Sequence, residues 1–358
     1  MGALLALLVS APLYAVPVDP PYRYTVRNGD TLYTLAARYL SKTGDFQTVQ
    51  RLNKIADPYH LPPGMVLLIP DALLRTEPVI GEIASFRGMV TVDNRPVAVG
   101  TSVRQGMRVE TGANAFVTVR LPDGSSISLP SQSRIRIDKL RRVLLSGGLD
   151  RNFVLEAGRS RSTVTPILDP ASNFRVTTPL SVSAVRGTDF RVAFDAAEGR
   201  ALTEVVGGTV GVAPDADKDQ TEVPKAFGVI GTAAGIEGPI ALLPPPVLLQ
   251  MERTATGMVV TIKPIEGAAR YRVQLATDTA FKDVFDEAVT EQPSASFTLS
   301  TGVSFYVRLT AIAPSGLEGL PATFALGQRI AAASGEHPSS MTGNDRTEPA
   351  SGPGKTLR

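Results

Sequence analysis

The sequence predicts a multidomain, mostly β chain: a small βααβ module, then an antiparallel β roll or sandwich, then a smaller β-sandwich. Three observations predict it. At roughly 150 residues per domain, the 358 residues are enough for two or three domains. Apolar residues recur with a helical period only between residues 31 and 52, and with a period of two later in the chain. Turn formers punctuate the middle of the chain at Asp93-Asn94, Gly100, Gly106, Gly112, Pro122-Asp123-Gly124, Gly147-Gly148 and Gly158, the spacing expected of many short strands.

Composition narrows the function. The 36 basic and 34 acidic side chains leave a net charge of +2, too small to imply a nucleic-acid partner, which would need a local basic stripe. With no cysteine there are no disulfides, thiol nucleophiles or Cys-based metal sites. His60 and His337 are the only 2 histidines, so a Ser-His-Asp triad or a multi-His metal site has little material. The expectation is a non-catalytic protein with no cofactor, no metal and no catalytic residue.

Residues 2–9, G-A-L-L-A-L-L-V, are followed by Pro12 and by the small residue Ala15, which reads as a signal peptide over 1–15. No Lys or Arg precedes Arg23, so the usual basic leader is missing. The run is shorter than the about 20 apolar residues that span a bilayer, and no other segment qualifies as transmembrane. From 328 to 358 the chain is Ser, Gly, Pro, Thr and charge, a composition expected to stay disordered.

The first module covers 22–71. Residues 23–26 form a strand and Asn28-Gly29-Asp30 a turn. Thr31 caps a helix whose apolar face is Leu32, Leu35, Ala36, Tyr39 and Leu40. Asp45 opens a second helix with Phe46, Val49 and Leu52 inward, and a second strand follows at 66–69. The run Y-T-V-R-N-G-D-T-L-Y-T-L-A-A-R-Y at 24–39, then Asn53, Pro58 and P-G-M-V-L-L-I-P at 63–70, resembles a LysM domain. That resemblance implies binding of N-acetylglucosamine polymers, peptidoglycan or chitin, in a shallow groove. Carried over by motif, Gly29, Asp30, Thr31 and Leu32 form one wall, and Asp57, Pro58, Tyr59, His60 and Leu61 the other. Each also has a plainer reading. Gly29 serves a turn, Asp30 and Thr31 cap, Leu32 is half core, and His60 is an exposed loop residue. On the groove reading, Thr31→Arg or Gly29→Trp fills the groove and leaves the fold intact.

The second module covers 78–235. Its G-x-V-x-V at 88–92, G-T-S-V-R-Q-G-M-R-V-E-T-G at 100–112, V-x-L-P-D-G-S-S-I-x-L at 119–129 and S-A-V-R-G-T-D-F-R-V at 183–192 resemble a FecR-type domain. In that family the β domain lies outside the cytoplasm and relays signals to a membrane-bound anti-sigma factor. Without a transmembrane helix, a scaffold or ligand-sensing role is the more cautious implication. Arg186 and Asp189 read as an ion pair. Lys139, Arg141, Arg142, Arg151, Arg159 and Arg161 read either as the wet face of strands or as a contact for anionic polymer.

Residues 236–246, with Pro244-Pro245-Pro246, read as a stiff linker. The third module, 247–327, holds strand-like runs at 247–251, 258–262, 271–276, 296–299, 305–312 and 323–326. A-R-Y-R-V-Q-L-A-T-D at 269–278 and F-Y-V-R-L-T-A-I-A-P-S-G-L-E-G at 305–319 resemble a fibronectin type III-like domain. Tyr306 would be the family's late-strand tyrosine, and Ile262 would stand where it has a tryptophan. Together the resemblances imply a periplasmic or cell-envelope protein that holds peptidoglycan and presents β surfaces to an unknown envelope partner. The alternative is a FecR-type signal-sensing or regulatory protein.

Overall fold

The computed structural model describes residues 21–216, 218–254, 257–299 and 305–325. The signal-peptide and tail readings lie outside the described residues. The first module follows the expected order: strand Tyr22–Thr25, helix Leu32–Tyr39, helix Phe46–Leu52 and strand Val66–Ile69, the two strands pairing antiparallel. Thr31 caps the first helix, its Oγ1 accepting the Thr34 N–H at 3.0 Å. The inward face of the second helix is narrower than its period suggests. Val49 is buried, but Leu52 is 45% exposed. The helix ends there, and Asn53 turns inward instead. Its amide donates to Val49 O and Leu68 O, each at 2.8 Å, and accepts from Leu68 N at 2.7 Å. One side chain thus ties the helix end to the second strand.

From Thr76–Pro78 to Gly235–Ala241 the strands pair into a continuous network that closes on itself, around a core that includes Ile83, Val119, Leu155, Phe174 and Phe190. The hinge of this network is strand Leu149–Thr163. Its first part pairs with Arg134–Val143, whereas 158–163 pairs with Asp189–Asp195. Gly158 sits at the change, with φ 78°, and a Cβ there would lie 2.5 Å from Gln132 O. Only glycine meets both demands. One pairing departs from the antiparallel expectation: Leu149–Thr163 runs parallel to Phe174–Thr178. The expected linker also starts later. Gly235–Ala241 is a strand on Phe227–Thr232, so the Pro-rich connection begins at Leu242.

The third module has a three-stranded sheet, Leu248–Arg253, Gly257–Ile262 and Ser294–Thr298, and a four-stranded sheet. The latter includes Val284–Thr290, a strand absent from the sequence reading because Asp286 and Glu287 break its apolar pattern. Glu287 is compensated by Arg272 Nη1 at 2.6 Å. Ile262 is fully buried. Tyr306, however, is half-buried at the module boundary against Phe116, Phe281 and Val284. The hydroxyl of the buried Tyr271 accepts from Ile265 N at 2.8 Å.

Of the six basic residues singled out above, five lie buried or half-buried against carboxylates and form neither a wet face nor an open polymer contact, and Arg142 is exposed. Lys139 and Arg141 are buried against Asp71, at 2.9 and 2.5 Å, and so clamp the end of the first module to the second. Val143 joins that module's core beside Leu40 and Leu74. Arg151 is buried on Asp123. Arg161, not Arg186, pairs with Asp189, through two contacts of 3.0 and 2.6 Å. Arg186 instead donates to Pro170 O at 3.1 Å.

Two buried carboxylates join the second module to the third. Glu204 (1% exposed) and Glu318 (4% exposed) sit among Arg159, Arg191 and Arg272. Glu318 N–H donates to Glu204 Oε1 at 2.7 Å, and Thr310 Oγ1 donates to Glu318 Oε1 at 2.7 Å. Taking such charges out of water is costly unless their hydrogen bonds are complete. Here both carboxylates receive several donors, which ties the β modules together.

Candidate functional site

The two segments carried over as groove walls lie side by side. The Leu32 N–H, at the start of the first helix, donates to Pro58 O at 2.9 Å. This uses a helix N-terminal donor that has no partner within the helix. It pins the 57–61 loop against the Gly29 turn.

Within the walls, five residues are committed to architecture. Asp30 Oδ2 accepts from the Tyr24 hydroxyl and from Arg27 N, both at 2.7 Å, which closes the turn. Burial, with the Asp30 hydrogen bond next, pushes the Tyr24 phenol up to about 12. Thr31 is the helix cap, and Leu32 and Leu61 are buried in the module core. Asp57 shapes the second wall. Its Oδ1 accepts from Tyr59 N at 2.9 Å, and its Oδ2 lies 2.7 Å from His60 Nδ1. The Tyr59 N–H, with help from His60, holds the Asp57 carboxyl below the usual range.

The exposed members are Gly29, Asp57, Tyr59 and His60, with Pro58 half-buried. Gly29 has φ 85° and open space where a Cβ would stand, so the backbone can be approached closely there. Tyr59 is 64% exposed at the loop tip. Tyr33 was missed by the sequence reading. It is 51% exposed beside Leu32 and packs edge-on against Phe46, with centroids 6.5 Å apart. Its position one residue past the apolar stripe was the available signal. The arrangement can offer backbone polar groups and aromatic faces to a neutral ligand. It does not present paired, unengaged carboxylates of the kind glycoside hydrolysis uses.

A second concave feature, a cleft of about 720 Å³, lies between strand Tyr22–Thr25 and the second module. Arg23, Asp71, Asp150, Arg175, Arg186 and Glu222 are among its lining residues.

Comparison with known proteins matches the first two modules in this order. Residues 24–70 match the LysM domain family, and residues 107–211 match the family described as FecR protein. Both are non-catalytic domain families. No curated protein matches the chain. Two crystal structures of a protein assigned as an anti-sigma factor from Parabacteroides distasonis are similar at 19% and 20% identity, with TM-scores of 0.31 and 0.30. Each match covers 37% of this chain and 60% of that one. The glycoside hydrolase domain Endo-D of Streptococcus pneumoniae is similar at 12% identity and TM-score 0.20, over 74% of this chain and 39% of that one. Superposition at this level does not define a shared fold. No helix among the described residues is long and apolar enough to cross a membrane.

Proposed function

We propose that this is a non-catalytic protein of the bacterial envelope that binds N-acetylglucosamine polymer, foremost peptidoglycan, through residues 22–71. In this reading the domains at 78–235 and 247–327, FecR-like and fibronectin type III-like, present surfaces to an envelope partner. The observation that carries the reading is the 2.9 Å hydrogen bond from Leu32 N to Pro58 O, which joins both motif segments of the LysM match into one continuous surface. On that surface Gly29 leaves room for the backbone to meet N-acetyl groups. Tyr59, Tyr33 and Pro58 supply apolar faces for methyl groups and sugar rings. Asp30, Thr31 and Asp57 hold the walls in place and do not contact the sugar with their side chains. The FecR match supports a second reading, in which the chain senses a ligand or receptor in the periplasm and the first module fixes its location.

The test is an NMR titration of the chain with chitotetraose. The glycan reading expects shifts concentrated at 29–33 and 57–61. Absence of shifts there at millimolar ligand removes it and leaves the sensing reading.

A further inference from the structure

A cavity of about 60 Å³ lies where the second and third modules meet. Phe116, Leu129, Phe281 and Val284 supply apolar wall, and the charged residues on it include Arg161, Arg308 and, with opposite sign, Glu318. The charges around it do not balance. Arg159, Arg161, Arg191 and Arg272 are matched by Asp189, Glu204, Glu287 and Glu318, each arginine within ion-pair distance of one or more of these carboxylates. Arg308 is a fifth guanidinium, only 7% exposed, and among the described residues it meets no carboxylate. Its Nη2 donates to Ala280 O at 3.3 Å, and its Cζ lies 3.9 Å above the Phe281 ring. Its buried Nε has no partner.

A cation–π contact and one long hydrogen bond do not offset the removal of a full charge from water. Burial and the neighbouring Arg161 and Arg191 accordingly push the Arg308 guanidinium down to about 8. The cavity has room for a group or two the size of a water molecule, at about 30 Å³ each. From this geometry we infer that the cavity binds a small monovalent anion, a halide or a short carboxylate such as formate, held by the Arg308 guanidinium, which lines it together with Arg161. The anion supplies the missing negative charge and locks the two β modules together. This inference is independent of the glycan reading.

The test uses the full chain. Its melting temperature is followed as sodium gluconate, whose anion is too large for the cavity, is replaced by sodium chloride or sodium formate at constant ionic strength. The expected result is a rise in melting temperature that grows with the logarithm of chloride or formate concentration. The rise is lost in Arg308→Met. The larger response of the two identifies the preferred anion. Crystals of the unsubstituted chain grown in bromide should show an anomalous peak in the cavity within hydrogen-bond distance of the Arg308 guanidinium, a readout that does not depend on the variant folding. Equal melting in all three salts, or no bromide peak at Arg308, overturns the inference.

Discussion

Replacing Glu318 by Gln removes one negative charge from the centre of the ionic network and keeps its shape. Glu318 receives Arg272 Nε at 3.0 Å, Arg159 Nη2 at 3.2 Å, Arg191 Nη1 at 3.3 Å and Thr310 Oγ1 at 2.7 Å. The variant leaves Glu204 and Glu287 to balance these three guanidiniums at a largely buried site. Breaking a buried ion pair from one side costs about 3–5 kcal/mol. At roughly 2 °C per kcal/mol for a large cooperative unit, the melting temperature should fall by about 6–10 °C. The pH dependence gives a second reading. Burial alone would raise the Glu318 carboxyl, but Arg272, Arg191 and Arg159 outweigh it and hold it far below the usual range. A depressed carboxyl contributes stability that is complete above its unfolded pKa, roughly 4.3, and is lost as pH falls below that. Calorimetry at pH 7, 5 and 3 should therefore show a large gap between the native chain and Glu318→Gln at pH 7. The gap should narrow on acidification. A variant that melts within 1 °C (roughly 0.5 kcal/mol) of the native chain at pH 7 refutes the claim that this network joins the modules.

Three further outcomes are expected. Asp71→Asn should weaken the clamp of Lys139 and Arg141 on the first module by about 1–3 kcal/mol, read as faster protease cleavage between residues 70 and 80. Tyr24→Phe should cost about 1 kcal/mol by removing the 2.7 Å hydrogen bond to Asp30. In the native chain the raised Tyr24 phenol contributes stability that is whole below its unfolded pKa near 10 and is lost as pH rises toward about 12. Spectrophotometric titration should then find one fewer late-titrating tyrosine in the variant. Gly29→Trp and Thr31→Arg are not the clean probes the sequence suggests. The first forces a bulky residue to φ 85°, and the second removes a helix cap, each costing about 1–2 kcal/mol. Both should lower the melting temperature as well as glycan binding.

What the sequence discloses is what is local. The turn at Gly29, the cap at Thr31 and the strand at 66–69 follow from residues within a few positions of one another. The period-two strands of the second module are likewise visible at residues 116–121. The arginines were misread because their partners are remote. Arg159 meets Glu204 and Glu318, and Glu318 meets Glu204 across 114 residues of chain. A strand carrying Arg-Ser-Arg looks solvated until its neighbouring module is placed. Val284–Thr290 was hidden for the same reason, since Asp286 and Glu287 mask an edge strand that Arg272 makes tenable. In the candidate site, motif reading picked two segments that the structure brings side by side. It did not show that the exposed Asp57 already accepts from Tyr59 N and lies against His60.

The most direct test of the glycan reading is retention on purified peptidoglycan sacculi, comparing the native chain with Tyr59→Ala. Tyr59 is exposed at the loop tip, so its loss should leave melting unchanged. The account predicts that the native chain is retained and released by chitotetraose, and that the variant is retained several-fold less. No retention of the native chain, or retention indifferent to both the oligosaccharide and the substitution, would contradict it.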